Sequence, residues 1–297
     1  MYHKIDWYKI EGNVDENIVQ YVNKNNIKHI SVKECKSLCF LYQMPDIEGL
    51  TINSEIYGDH SIHDFDAINC LMNLRVLKVF RKSYGSIDFR NLSMLEELDI
   101  QWDRRYIDAF RLPNLKSLTV HYCDLVDLSC FSRLHQLEVM DLRSFSRLKC
   151  LDGISELKHL CWFDLSYARN LTSIRGIEAL DCIESVGFLA CKRISDLALL
   201  SELKSLKSLG LESMGSVETV GFLKKCLNLE QLAVVGDTSV LDGDFDFLLD
   251  LPHMKGFGFQ MRKHYKRRFE EYPFNCKEQE PVNYSCKEWL GLLHNLR

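Results

Sequence analysis

A short pattern, apolar-x-x-apolar-x-apolar, recurs along almost the whole chain of 297 residues. Successive occurrences are separated by 20, 27, 21, 20, 22, 23, 23, 23, 23 and 25 residues, and four consecutive steps of 23 are very hard to obtain by chance. A fixed period of this length indicates a stacked repeat architecture, because one such unit cannot bury its apolar face alone. The eleven occurrences begin at Ile27, Ile47, Leu74, Leu95, Leu115, Leu137, Leu160, Ile183, Leu206, Leu229 and Met254.

The last four residues of each unit alternate between apolar and polar, which is typical of a short strand with one buried face. Stacking these strands in parallel predicts a curved sheet. A second apolar set lies between the strands, as in residues 151–157 and 171–180. These stretches are too short for full helices, so we predict single turns or 3₁₀ pieces on the convex side.

The segments LDGISELKHLCWFDLS (151–166) and LTSIRGIEAL (171–180) resemble the leucine-rich repeat family, in its short internalin-like subclass. The resemblance covers residues 27–262 and implies an α/β solenoid, a horseshoe with a parallel concave β-sheet, about 11 repeats and helical caps. It implies little about function, since one fold serves many ligands. The chain departs from the family where a ladder of asparagines usually follows the strand, and we expect an irregular ladder there. That position holds Cys35, Cys123, Phe145, Ala168, Cys191, Met214 and Asp237.

Three parts of the chain follow from this pattern: an N-terminal cap (1–26), a repeat array (27–262) and a C-terminal basic segment with a capping helix (263–297). Residues 15–24 carry acids in the first turn and apolar residues at helical spacing, which predicts a capping helix. Ser285 and Glu288 form a capping-box pattern, which opens a second predicted helix. Its apolar residues are Trp289, Leu290, Leu292 and Leu293.

Side chains two, four, six and seven places after each repeat start are predicted to point away from the core. Each of these places forms a column along the array, in which neighbouring strands are about 4.8 Å apart. Large aromatic and charged residues cluster in these columns on repeats three to seven. Trp, Tyr and Arg dominate protein interfaces, so the cluster predicts a protein-binding concave face. Aromatic neighbours also stabilise a sheet by cross-strand contact, and this alternative stays open for each single residue. The candidate partner-binding residues are Phe80, Asp99, Gln101, Trp102, His121, Tyr122, Asp141, Arg143, Trp162, Asp164 and Tyr167.

Asp141 and Asp164 occupy adjacent strands of one column, so their carboxylates are expected within roughly 5 Å of each other. Like charges that close together raise a pKa or recruit a cation. A partner's Lys or Arg, the chain's own Arg143, or a metal ion could supply the positive charge. The sequence leaves these alternatives open.

Other residues with chemical potential give weaker signals. His60 and His63 lie between acids without further ligands, and no catalytic or nucleotide-binding motif occurs, so we expect no metal and no cofactor. The twelve cysteines form no CxxC pair and are interpreted as buried thiols without disulfides. The basic stretch 262–268 could contact phosphates. It is better interpreted as a solvated cap that discourages edge pairing and is offset by Glu270 and Glu271.

Composition narrows the function classes. A formal net charge of −5 and a pI near 6.1 argue against nucleic acid as the partner. No apolar stretch approaches the roughly 18 residues of a membrane span, and the first residues lack a signal-peptide core, so we expect a cytoplasmic protein without membrane contact.

These observations favour a non-enzymatic module, monomeric when free, that binds a protein through its concave face. A resemblance in kind to the leucine-rich immunity proteins of bacteria implies an intracellular inhibitor of a toxin with a basic patch. The alternative is a substrate-recognition adaptor or a translocated effector. The remaining hypothesis is an enzyme acting through Asp99, Asp141 and Asp164.

Overall fold

Short parallel strands joined mostly by 3₁₀ turns make up the computed structural model, which describes residues 7–53, 62, 64–80 and 87–278. It divides into two compact units, Met1–His121 and Tyr122–Arg297. Three sites of the sequence analysis lie outside the described residues: His60, His63 and the capping helix predicted from Ser285.

The described residues of the first unit form one α-helix and six strands. Helix α1 (Glu16–Lys24) forms as predicted, because the side chain of Asp15 accepts a hydrogen bond from the Ile18 amide at 2.9 Å and Val19 and Val22 are buried. Each strand pairs in parallel with the next one along the chain. The strands are β1 (Tyr8–Glu11), β2 (His29–Lys33), β3 (Gly49–Asn53), β4 (Val76–Val79), β5 (Glu97–Gln101) and β6 (Ser117–His121).

The second unit continues the same strand and turn pattern. Its larger sheet has the order β7, β8, β9, β10, β12, β14, β15, and β11 pairs separately with β13. The bounds are β7 (Val139–Arg143), β8 (Trp162–Ser166), β9 (Ser185–Leu189), β10 (Ser208–Glu212), β11 (Ser216–Val217), β12 (Gln231–Val235), β13 (Ser239–Val240), β14 (Gly256–Phe259) and β15 (Asn275–Glu278).

All eleven predicted repeat strands are present, as β2 to β10, β12 and β14. The sequence analysis missed two further parallel strands, β1 before the array and β15 after it. The basic stretch 262–268 therefore lies before β15 and does not follow the last strand. Lys266 of this stretch pairs with Asp244 and Arg267 with Asp246. Asp246 and, to a smaller extent, Glu271 raise the pKa of Arg267, so Glu271 offsets part of the charge as predicted and the two aspartates were missed.

Buried apolar side chains hold successive repeats together. Register pairs equivalent positions, so that Leu165 of β8 lies beside Leu142 of β7 and Phe188 of β9. All three side chains are almost completely buried. Each repeat therefore buries its apolar set against both neighbours, and the core continues from strand to strand within each unit.

A left-handed backbone residue follows many of the strands, seven places after the repeat start. Its amide donates to a carbonyl of the next strand, as from Tyr167 to Leu189 at 2.8 Å and from Ser144 to Ser166 at 2.9 Å. This geometry turns the chain out of the sheet. Residues with this positive φ are Glu34, Tyr122, Ser144, Tyr167, Ala190, Ser213 and Gly236.

The hydrogen-bonding ladder after the strands is irregular, as predicted. The Cys191 thiol donates toward the carbonyl oxygens of Leu165 and Leu189 at 3.5 and 3.4 Å. Phe145 and Ala168 fill the equivalent place as buried apolar groups. In the tenth repeat the position assigned to Asp237 is shifted by one residue. The completely buried Thr238 hydroxyl donates there to the Leu211 carbonyl at 3.0 Å.

Opposite charges alternate along the edge of the sheet one place after the repeat starts, with the uncharged Cys161 as the exception. Arg75 pairs with Glu96 in the first unit, and Lys207 with Glu184 and Lys255 with Glu230 in the second. Each exposed pair contributes at most about 1 kcal/mol. If a strand paired with the repeat one place further along the array, like charges would lie next to each other. The alternation therefore favours the observed pairing of neighbouring repeats.

The ten cysteines that the structure describes are free thiols. Burial raises the pKa of Cys123 and Cys191 to about 12 and that of Cys226 to about 11. Cys39 and Cys182 are exposed, so the expectation that the cysteines are buried holds for only part of the set.

We predict that alkylation separates these thiols. At pH 8 a thiol with a pKa of about 12 is ionised to a fraction of only about 10⁻⁴, and the thiolate is the reacting species. Iodoacetamide should modify Cys39 and Cys182 in the native protein and Cys123 and Cys191 only after unfolding, as read by peptide mass spectrometry. Equal native reactivity of all four would contradict the buried assignments.

A substitution of Leu165 tests the repeat core. Leu165→Ala should lower the free energy of unfolding by roughly 2–5 kcal/mol, because it leaves a cavity between two strands. Urea denaturation measures the loss. The matched control is Ser166→Ala on the same strand, and a similar loss in both variants would show that Leu165 does not carry the core.

Candidate functional site

The outward side chains of the first unit form charged pairs across neighbouring strands. The Nε2 atom of His121, at the end of β6, lies 2.8 Å from a carboxylate oxygen of Asp99 on β5. Lys78 on β4 pairs with Glu97 on β5 at 2.7 Å. The predicted acid Asp99 is therefore held by a side chain of its own unit, while Gln101 is half-buried at the end of β5.

Trp102 does not project from the sheet, and this expectation was wrong. Only 8% of the residue is exposed, and its ring stacks on Phe110 with centroids 5.5 Å apart and planes 7° from parallel. The cause is the long 3₁₀ segment Arg104–Arg111 between β5 and β6, which carries Phe110. Phe80, directly after β4, is exposed as predicted.

Asp141 and Asp164 occupy adjacent positions in the register of β7 and β8. The guanidinium of Arg143 donates from Nε at 3.0 Å and from Nη2 at 2.7 Å to one carboxylate oxygen of Asp141. Only 6% of the Asp141 side chain is exposed, so its charge is neutralised within the chain. Of the three alternatives for Asp141, the structure selects Arg143.

Asp164 is buried beside Trp162 on the same strand. The indole Nε1 of Trp162 donates to a carboxylate oxygen of Asp164 at 2.9 Å. This bond fixes the Trp162 ring, which is half-buried, across the outward side of β8. The second unit thus brings together four predicted residues on two strands, namely Asp141, Arg143, Trp162 and Asp164.

Two tyrosines border these strands in the left-handed backbone region. Tyr122 has φ 57° and Tyr167 has φ 56°. They are 67% and 43% exposed, so most of the Tyr122 surface and much of the Tyr167 surface face solvent. Other repeats of the second unit place Ser144, Ala190 or Ser213 at this turn, and a residue with a β-carbon costs roughly 1–2 kcal/mol there.

No protein family and no curated protein matches the chain. Among solved structures, an internalin, InlF, of Listeria monocytogenes superposes with a TM-score of 0.54 at 18% identity, covering 86% of this chain and 74% of the internalin. The fold is a leucine-rich repeat solenoid. A leucine-rich repeat protein of Leptospira interrogans gives a TM-score of 0.47 at 14% identity over 96% of this chain and 87% of its own. At these identities the likeness concerns the fold alone.

In the described ranges, no three His, Cys, Asp or Glu side chains are grouped to hold a metal ion. No helix among the described residues is long and apolar enough to cross a membrane.

The sequence analysis missed one feature of the repeats: the outward sides of β9, β10, β12 and β14 are buried. A column of small residues was the sequence signal that could have predicted this burial, namely Gly187, Gly210, Ala233 and Gly258.

The Asp141 and Arg143 pair gives a stability prediction. Arg143→Gln should lower the free energy of unfolding by roughly 1–2 kcal/mol, because it removes a charged donor pair from a buried carboxylate. Thermal or urea unfolding measures the loss. Arg169→Gln, at an exposed arginine two residues after Tyr167, is the control. A loss in the control as large as in Arg143→Gln would show that the pair is not responsible.

Proposed function

We propose that this leucine-rich repeat chain is a non-enzymatic protein-binding module, and that the outward side of β7 and β8 with the flanking tyrosines is its contact surface. The observation that carries the proposal is the pair Tyr122 and Tyr167. Both rings are exposed, and both stand at a backbone position that disfavours a large side chain. The exposure of two large rings at such a position is explained if the rings are buried in a complex.

The neighbouring residues suit the same role. Trp162 and Arg143 are of the types that most often dominate interface energies, and each is oriented by an aspartate of its own strand. Orientation before binding lowers the entropy cost of association. Within the first unit, Phe80, Asp99, Gln101 and His121 are proposed as further contacts, whereas the buried Trp102 supports the fold.

We propose a partner with a basic patch, as for a bacterial toxin that this chain neutralises as an immunity protein in the cytoplasm. The support is the net charge of −5 together with Asp164 and Asp99 on the outward sides of their strands. Opposite charges steer such a partner, so association should be faster at low salt. Arg143 reduces the acidic character around Asp141 and restricts where a basic group of the partner fits.

The function is tested by co-expressing the chain in a bacterial host with the toxin candidate encoded beside its gene. Rescue of growth, with a stable complex on size-exclusion chromatography, is the expected outcome. A complex with a ligase or secretion component in place of a toxin would favour the adaptor or effector alternative. A toxin that remains active and unbound would overturn the inhibitor proposal.

The tyrosine contact makes a sharper prediction. Tyr167→Asn should weaken partner binding by about 2 kcal/mol or more, which is about 30-fold in the dissociation constant. It should not lower the free energy of unfolding, because Asn tolerates the left-handed region better than Tyr. Calorimetry measures the first quantity and urea denaturation the second.

The matched control is Glu34→Asn, at the same turn position of the first repeat. It should leave binding unchanged. Normal binding by Tyr167→Asn, or an equal loss in Glu34→Asn, would contradict the assignment of Tyr167 to the contact surface.

A further inference from the structure

The turns that follow β7, β8 and β9 carry cations and no acid. Residues 144–150, 167–172 and 190–195 contain five lysines and arginines, and neither Asp nor Glu occurs in these ranges. One of the five, Lys192, forms an ion pair with Asp237. The other four are exposed and form no ion pair with a described residue. We call these four the basic turn patch: Arg147, Lys149, Arg169 and Arg193.

Hydrogen bonds between the turns hold the backbone of the basic turn patch in one arrangement. The Thr172 amide donates to the Lys149 carbonyl at 3.2 Å, and the Ser195 amide donates to the Thr172 carbonyl at 3.1 Å. Asn170 adds a further bond, because its Nδ2 donates to the Ser146 carbonyl at 2.7 Å. The turns of the three repeats are therefore fixed side by side, at about the 4.8 Å spacing of the strands.

Two arginines of the patch lie on either side of one asparagine. Arg147, Asn170 and Arg193 each stand ten residues after their repeat start. The Nη1 atom of Arg193 donates to Oδ1 of Asn170 at 3.3 Å. A guanidinium bonded to a neutral amide keeps its charge and most of its five donors for another acceptor. These donors form a planar fork that matches a carboxylate or a phosphate.

Other cations of the second unit are neutralised by acids on neighbouring repeats. Lys207 pairs with Glu184, and Lys225 pairs with Glu202. The basic turn patch differs, because the three turns that form it contain no acid. Its positive charge is therefore available to an anionic group of another molecule.

We propose that the basic turn patch binds a short acidic segment of a protein partner, through the carboxylates of its Asp or Glu residues. The proposal does not depend on the function proposed above, which places a partner with a basic patch on the outward side of β7 and β8.

The extent of the patch favours a short segment. The repeats of Arg147 and Arg193 are two strand spacings apart, about 10 Å, which matches about three residues of extended chain. Acids end the patch on both sides, because Asp127 and Glu218 occupy the place of Lys149 in the flanking turns. A nucleic acid carries phosphates beyond this length and would meet those carboxylates. A short acidic segment contacts the cations alone.

The formal net charge of −5 does not prevent this binding. Ions screen exposed charges over about 8 Å at physiological ionic strength, so a bound segment interacts mainly with the nearest groups. At the patch, these groups are the four unpaired cations.

Fluorescence anisotropy of the full-length protein with a labelled hexaglutamate peptide tests the proposal. We expect saturable binding at about 50 mM NaCl that weakens at about 300 mM NaCl, because salt screens exposed charge contacts. The double substitution Arg147→Gln and Arg193→Gln should raise the dissociation constant about tenfold. Circular dichroism and urea denaturation check that the variant folds.

The matched control is the double substitution Arg133→Gln and Lys204→Gln. It removes two exposed cations from the turns before β7 and β10, so it changes the net charge equally. It should leave the dissociation constant unchanged. No binding of hexaglutamate, or an equal loss in the control, would overturn the proposal. Tighter binding of a thymidine oligonucleotide, weakened by the Arg147 and Arg193 substitutions, would overturn it in favour of nucleic acid.

Crosslinking locates the bound peptide. A carbodiimide joins a carboxylate of acetylated hexaglutamate to a lysine Nζ as an amide, and the carbodiimide takes up the water that is lost. The expected product, read by peptide mass spectrometry, is a crosslink to Lys149 that the Arg147 and Arg193 substitutions reduce several-fold. Crosslinks to Lys204 and Lys224 with none to Lys149 would contradict the assignment of the peptide to the basic turn patch.

Discussion

The stacking of buried leucines and their equivalents in register is the interaction on which the rest of the structure depends. Leu142, Leu165 and Phe188 show the principle, because each is buried only if the neighbouring repeats present theirs at the same height. Burial of such a side chain contributes about 1.5–3 kcal/mol, and one repeat alone obtains little of it. The weak ion pairs at the sheet edge add specificity of alignment, since Lys207 meets Glu184 and Lys255 meets Glu230 only in this register.

Once the strands stack, the chain must leave the sheet after every one of them, and the left-handed turn does this. The amide of the turn residue is satisfied by the next strand, so the turn is fixed by the same stacking. The turn geometry therefore sets the direction in which the side chain at that position points, and packing in the core does not determine it. Tyr122 and Tyr167 are therefore held at defined positions beside β7 and β8, with much of each residue exposed to solvent.

The sequence predicted the repeats, the strand positions and the N-terminal capping helix α1, because residues that are buried at regular intervals in the fold recur at regular intervals in the sequence. It failed where tertiary contacts override the period. Trp102 is covered because the long 3₁₀ segment between β5 and β6 places the ring of Phe110 against it. Thr238 takes the ladder position because one residue is inserted after β12. Strands β1 and β15 lack a complete repeat pattern and form on the template of an existing sheet edge.

The residue types of the candidate contact surface could be predicted from the sequence, but their hydrogen-bond partners could not. The column positions placed Asp141 beside Asp164, and only the three-dimensional arrangement shows that Arg143 donates to Asp141 and Trp162 to one oxygen of Asp164. Buried aspartates with partners on their own strands orient the arginine and the indole, so the charge pair acts as a positioning device for the groups next to it. A partner bound at the proposed contact surface would meet one oriented indole and one oriented guanidinium. For that surface we propose that specificity follows from shape and hydrogen-bond geometry more than from net charge, because the guanidinium of Arg143 already compensates the charge of Asp141 in the free chain.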